Sequence, residues 1–201
     1  NTACGRNSLT NNTTGSRNTS LGANAMSANT EGHNNTAVGY YALDAITASS
    51  NENVAVGIDA LGALTTGSNN VAVGADSADF LTTASGCVAI GHDCMRYMNG
   101  GTNVAVGRAA MLSDSGSPSS NTGNDNTAIG YNAAHDLTTG TDNVFVGSYC
   151  GDNVTTGSDN VYVGDNAGNT HATGNGCVFV GRACNGSSTS VHEENVFGRN
   201  L

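Results

Sequence analysis

Six cysteines offer the first chemistry to consider: Cys4, Cys87, Cys94, Cys150, Cys177 and Cys184. Cys87 and Cys94 are seven residues apart, and Cys177 and Cys184 repeat that spacing. A spacing that occurs twice predicts two disulfides, Cys87–Cys94 and Cys177–Cys184, provided a bend brings each pair of Cα atoms within about 7 Å. Such bridges imply an oxidising, extracellular setting. Zinc is the rival, because His92 lies between Cys87 and Cys94, but the second pair has Arg182 at the equivalent place, so no metal site is assigned. Cys4 and Cys150 fall at positions that elsewhere hold Val and Ala, and read as small buried hydrophobes.

Other reactive side chains are more scattered. His33, His92, His135, His171 and His192 share no common position in the repeat described below, and no catalytic set or cofactor site is assigned. Asp59, Asp76 and Asp93 recur at one position, as calcium ligands or a glycosidase pair would. Asn7, Asn24, Asn132 and Asn166 take the same place, which fits a solvated polar ladder better. Tyr40, Tyr41, Tyr131 and Tyr149 occupy positions elsewhere given to Arg, Asn or Asp. They are the candidate binding residues, since an exposed phenol offers an apolar face with a polar tip. Ser117 and Pro118, in a Ser/Gly-rich insertion that holds the single proline, are the candidate recognition loop. Possible Asn-x-Ser/Thr acceptors at Asn11, Asn12, Asn18, Asn34, Asn153 and Asn185 are expected by chance in an Asn/Thr-rich chain.

All of these positions are set by one phrase, Asn-x-Ala-Val-Gly, cleanest at Asn53-Val54-Ala55-Val56-Gly57. Its glycine recurs at Gly5, Gly22, Gly39, Gly57, Gly74, Gly91, Gly107, Gly130, Gly147, Gly164, Gly181 and Gly198, about 17 residues apart. A fixed period over a whole chain predicts a solenoid, because no single repeat can bury its own apolar face. The fold expected is therefore all-β: a parallel β-solenoid of about twelve 17-residue rungs forming one domain over 1–201. The interval from Gly107 to Gly130 is 23 residues, and the excess predicts a loop within 113–125.

Within a rung, β-branched residues one and three before the glycine share a strand face, which reads as core. The residue between them is Ala37, Ala55, Ala72, Ala89, Ala105 or Ala128, then Phe145, Tyr162 and Phe179. A strand apolar on both faces needs two covers, so self-association is expected, with one face inside the coil and the other against partner chains. Four after the glycine, Leu9, Met26, Leu43, Leu61, Met95 and Met111 give way to Gly151, Gly168 and Asn185 in the rungs that gain the aromatic. Exchange of volume predicts that these two positions touch. Recurrent Thr-Thr-Gly turns, as at Thr65-Thr66-Gly67, complete the rung, and Asn35, Asn53 and Asn70 should stack as an amide ladder.

Composition narrows the partners. Net charge is −10, and all six basic residues are arginine. Nucleic acid and anionic membrane surfaces both demand clustered positive charge, so neither is an expected partner. No apolar run approaches the roughly 20 residues of a membrane span.

The phrase resembles the head repeats of trimeric autotransporter adhesins, as in Asn35-Thr36-Ala37-Val38-Gly39-Tyr40-Tyr41-Ala42-Leu43 and Asn126-Thr127-Ala128-Ile129-Gly130-Tyr131. With its Thr-Thr-Gly turns it is similar also to the longer repeats of phage tail fibres. The resemblance spans nearly the whole chain and implies a left-handed β-roll, a homotrimer, an extracellular or virion-surface location and no enzymatic activity. The role it implies is a structural fibre for attachment or receptor binding, with a cell-surface glycan or protein as receptor. Alternatives are a subunit of an end-to-end extracellular filament and, from the Thr ladder Thr13, Thr30, Thr47, Thr65, Thr82, Thr138 and Thr155, an ice-binding solenoid.

Overall fold

The phrase glycines adopt φ of about +140°, as at Gly57 (+143°) and Gly91 (+141°), which L side chains rarely enter. Space forbids a side chain there as well: a Cβ on Gly57 would lie 2.2 Å from the carbonyl oxygen of Gly74, one rung on. The same nesting repeats from rung to rung, so glycine ends each strand for a conformational and a steric reason together.

The structure is a computed structural model that describes residues 1–47, 50–113, 118–190 and 192–199. Each phrase contributes one three-residue strand: β1 (Thr2–Cys4), β2 (Thr19–Leu21), β3 (Thr36–Val38), β4 (Val54–Val56), β5 (Val71–Val73), β6 (Val88–Ile90), β7 (Val104–Val106), β8 (Thr127–Ile129), β9 (Val144–Val146), β10 (Val161–Val163), β11 (Val178–Val180) and β12 (Asn195–Phe197). They form a single twelve-stranded parallel sheet in chain order. Register is constant, with Val54, Ala55 and Val56 opposite Val71, Ala72 and Val73. The chain is thus an all-β parallel β-solenoid. The turns are stacked too: Leu61 N–H donates to Ser77 O at 3.0 Å, and Thr65 N–H to Thr82 O at 2.8 Å. Left-handed residues bend each rung, among them Asp59, Leu61 and Asn69 in the fourth and fifth.

The core corrects the expected sidedness of the strand. Ala37, Ala55, Ala72, Ala89, Ala105 and Ala128 point inward and are fully buried, whereas Val54 and Val56 are half-buried on the outer face. The β-branched face expected to be core is the outside of the coil. Opposite Ala37, Ala55, Ala89 and Ala105 the side chain four after the glycine crosses the coil and fills it: Leu43, Leu61, Met95 and Met111 are fully buried. Where the strand supplies the bulk instead, the other position must shrink. A Cβ on Gly151 would stand 2.3 Å from the Phe145 ring, and one on Gly168 2.3 Å from the Tyr162 ring. The volume exchange is therefore a contact within one rung. Phe145, Tyr162 and Phe179 continue as a buried column, with ring centroids 5.6 and 4.9 Å apart.

The insertion leaves the stack without disturbing it, since Val104 still pairs with Thr127 across it. Its base is anchored by two buried residues. Ser113 Oγ donates to Leu137 O at 2.5 Å, and Asn121 Nδ2 donates to Ser113 O at 2.6 Å. Ser117 lies outside the described residues, and Pro118 opens a 3-10 turn, Pro118–Ser120.

Candidate binding flank

The amide ladder forms as expected. Asn53 Nδ2 donates to Asn35 Oδ1 at 3.1 Å, while Asn53 Oδ1 accepts from the Asn70 backbone N–H at 3.0 Å and from Asn70 Nδ2 at 3.1 Å. Each ladder amide also donates to a turn carbonyl of the next rung, as Asn53 does to Gly67 O and Asn143 to Gly157 O. Asn35, Asn53, Asn103, Asn143 and Asn160 are fully buried, so the ladder satisfies backbone groups that the narrow interior hides from water.

That ladder explains the cysteines. No disulfide joins Cys87 to Cys94 or Cys177 to Cys184, which corrects the expected pairing. Cys87 replaces a ladder Asn: its N–H donates to Asn70 Oδ1 at 2.9 Å, and its thiol, in the amide's place, donates to Gly100 O at 3.3 Å. Cys94 belongs to a different row, in which Ser77, Cys94, Cys150 and Cys184 donate to the middle-strand carbonyls of Ala89, Ala105, Tyr162 and Val196. The two thiols of a pair thus serve different carbonyls of the next rung. Burial pushes the Cys94 and Cys150 thiols up to about 12, so both are held as neutral donors.

A buried polar cluster was not legible in the histidine positions. His171 is fully buried, and its Nδ1 is hydrogen-bonded to the Tyr162 hydroxyl. Its Nε2 lies 3.8 Å from Cys177 Sγ.

The positions that follow the phrase glycine by one, two, five and six residues share an outward flank. Tyr40 and Tyr41 form an edge-to-face pair with centroids 4.4 Å apart, and the Tyr40 phenol is pushed up chiefly by its hydrogen bond with Tyr41. Tyr131 and Tyr149, from neighbouring rungs, make a second edge-to-face pair at 5.1 Å, with the Arg108 guanidinium 5.9 Å from the Tyr131 centroid. The four candidate tyrosines therefore come together as two pairs. Tyr40, Tyr131 and Tyr149 are exposed and Tyr41 is half-buried.

A third pair escaped the sequence reading. Phe80 and Tyr97 stack at 5.1 Å with ring planes 19° apart. Both stand six after their glycines in successive rungs, where Ala45 and Ala63 stand in the two rungs before them. That shared position was the available signal. Arg96 lies 5.5 Å from the Tyr97 centroid and binds Asp93 at 2.9 Å, Asp76 at 3.3 Å and Asp79 at 3.6 Å.

Charge on this flank is unevenly balanced. Asp44 is pushed up to about 6 by burial, aided by Asp59. Asp79 reaches about 6 too, despite Arg96 nearby, because burial and the carboxylates of Asp59, Asp76 and Asp44 outweigh a guanidinium shared three ways. Asp76, His92 and Asp93 each bring one donor atom within 4.8 Å of the others, but Arg96 already engages both carboxylates. Towards the last rungs the flank holds a groove of about 340 Å³ lined by Asp165, Asn166, Asn169, Thr170 and Arg182, among others.

On another part of the coil, the first threonines of the Thr-Thr turns donate to the next rung, as Thr65 Oγ1 does to Thr82 O at 2.9 Å and Thr138 Oγ1 to Thr155 O at 2.9 Å. Among the described residues no helix is long and apolar enough to cross a membrane. Comparison with protein-family models, curated proteins and solved structures returns no match.

Proposed function

We propose that this chain is a non-enzymatic fibre module that associates with copies of itself along its outer valine face and presents the aromatic flank for attachment. The observation that carries the reading is the continuous β-branched face. Val54 and Val56, Val71 and Val73, Val88 and Ile90, Val104 and Val106 all stand outward, with Ile90 40% and Ile129 42% exposed. At ~4.8 Å per stacked strand the rod is about 50 Å long. A strip ~10 Å wide then presents roughly 500 Å² per copy, in the upper part of the range of the largest, often functional patch on a single chain, and about 1,000 Å² per pair once covered. A homotrimer, the state implied by the resemblance to adhesin heads and tail-fibre repeats, covers such a strip around one axis. Extracellular or virion-surface placement follows from the same resemblance. The ice-binding alternative is less well supported, because threonine hydroxyl protons are spent on the next rung's carbonyls.

The test is the mass of the particle in solution. Light scattering of the wild-type chain should give a stable oligomer, and Val73→Lys with Ile90→Lys should reduce it to monomer, since two buried charges at the centre of the strip lack partners. A wild-type monomer at micromolar concentration would refute the association. Attachment is tested separately by binding of the fluorescent fibre to a panel of intact cells.

A further inference from the structure

Three aromatic pairs stand on one flank: Tyr40 with Tyr41, Phe80 with Tyr97, and Tyr131 with Tyr149. They belong to the third rung, the fifth and sixth, and the eighth and ninth. At ~4.8 Å per rung their centres are about 12 to 14 Å apart along the rod. The rung between the first two pairs carries Asp59 beside an exposed Ile58, the rung between the last two carries Arg108 and Ala109, and Asp76, Asp93 and Asn132 border the rings within the rungs of the pairs themselves. The aromatic surface is thus divided into islands of two rings each, bordered by polar side chains and, between the first two islands, by Ile58.

We propose that this flank is a track for a linear, neutral polysaccharide, whose pyranose rings rest on the three aromatic pairs while the carboxylates and amides beside them bond its hydroxyls. The inference rests on the attachment reading above and names its ligand. A protein partner wants one contiguous apolar centre with a polar rim, which these separated islands do not provide. A sugar ring has one apolar face and a belt of hydroxyls, and matches an island and its polar border at the scale of a single residue. A linear polymer can reach successive islands, so weak individual contacts multiply. Charge selects among polysaccharides. The chain carries −10 overall, and on this flank Arg96 is already engaged by Asp76, Asp79 and Asp93, while Arg108, Arg182 and Arg199 are outnumbered by the flank's aspartates, so an anionic polymer meets net repulsion. Beyond the last pair, Asn166, Asn169 and Thr170 in the C-terminal groove continue the polar border.

Alanine is a clean probe, because the chain itself uses it at each of these positions. Ala23 and Ala75 occupy the place of Tyr40 and Tyr131, and Ala45 and Ala63 that of Phe80 and Tyr97. Ala109 and Ala183 hold the place of Tyr41 and Tyr149, at φ of 55° and 51°.

The experiment is affinity electrophoresis of the oligomer in native gels containing dextran, mannan, hydroxyethylcellulose or, as the anionic control, alginate. Retardation by at least one neutral polymer is expected, with Phe80→Ala/Tyr97→Ala and Tyr131→Ala/Tyr149→Ala each weakening it about tenfold. Tyrosine fluorescence provides a second readout on the same titration, since the chain has six tyrosines and no tryptophan. No retardation by any neutral polymer, retardation by alginate alone, or variants that bind like wild type would each overturn the proposal. Cell binding separates this failure from failure of the attachment reading. A fibre that decorates cells, and whose binding is abolished by protease treatment of those cells but survives periodate oxidation of their glycans, is an attachment protein without this track. A fibre that binds neither cells nor polymers refutes both.

Discussion

Phe145 and Gly151 are six residues apart, and together they do what Ala55 and Leu61 do in an earlier rung. Where these two positions fill the coil, either the strand or the turn supplies the bulk; Ala72 with Ala78 and Ala128 with Ala134 leave it to other buried side chains such as Leu81 and Leu137. Phe145→Ala should therefore cost about 3 to 5 kcal/mol through the void it leaves. Gly151→Leu alone should also destabilise, by about 1 to 3 kcal/mol, because the new side chain meets the ring. The double variant should be more stable than the sum of the two losses by at least about 1 kcal/mol, since it recreates the Ala/Leu pairing. Backbone geometry does not stand in the way: Gly151 has φ of 62°, and Leu43 and Leu61 adopt 55° and 52° at the same position. Denaturant titration of the four proteins gives the coupling, and strict additivity would show that the two positions are independent.

At the scale of the element, the buried Asn ladder ties one rung's backbone to the next. Asn53→Ala removes an amide that donates to Asn35, Ser50 and Gly67 and accepts from the Asn70 backbone. The partners left behind are buried, so a loss of at least about 2 kcal/mol is expected. Asn53→Cys should cost distinctly less, because Cys87 and Cys177 already occupy this row with a thiol able to donate to a carbonyl. Equal urea midpoints for the two variants would contradict that role.

The strands, their boundaries and their register were legible in the sequence because the glycine requirement is absolute and recurs in every rung. The inward face was not. Valine is the better core residue taken alone, and only the link between Ala55 and Leu61 shows that the interior is too narrow for both to be large. The cysteine spacing misled for a similar reason. Seven residues span a left-handed bend at Asp93, so Cys87 and Cys94 reach different carbonyls. Tyr40, Tyr41, Tyr131 and Tyr149 could be read as outward from the polar residues that replace them in other rungs. Their partnership in pairs, and the existence of the Phe80–Tyr97 stack, depended on contacts across rungs.

Charge acts on the molecule as a whole. Asp44 and Asp79 sit at about 6 in the folded chain, above the ordinary carboxyl value of 3.8. A carboxyl raised by folding binds more protons in the native state, so its contribution is present below about pH 4 and is lost as pH rises through 6. The rod should accordingly melt at a higher temperature at pH 5 than at pH 7. Asp44→Asn with Asp79→Asn should raise the melting temperature at pH 7 and flatten the dependence between pH 4 and 6. A melting temperature that falls steadily from pH 7 to pH 5 would contradict the upward shifts. The buried thiols of Cys94 and Cys150, at about 12, act in the same direction at the alkaline end and withdraw stability as pH climbs above about 9.

The column of Phe145, Tyr162 and Phe179 has one more consequence. A chain assembled from near-identical rungs can lose count while it folds, docking on the wrong neighbour and extruding a whole period as a loop. Most of the stack would tolerate that error, because one Ala/Leu rung serves as well as another. The three aromatic rungs would not, since a ring displaced by one position loses a stacking partner and faces a rung that already carries its own bulk. They index the fibre, fixing which rung is which in a sequence that otherwise repeats itself.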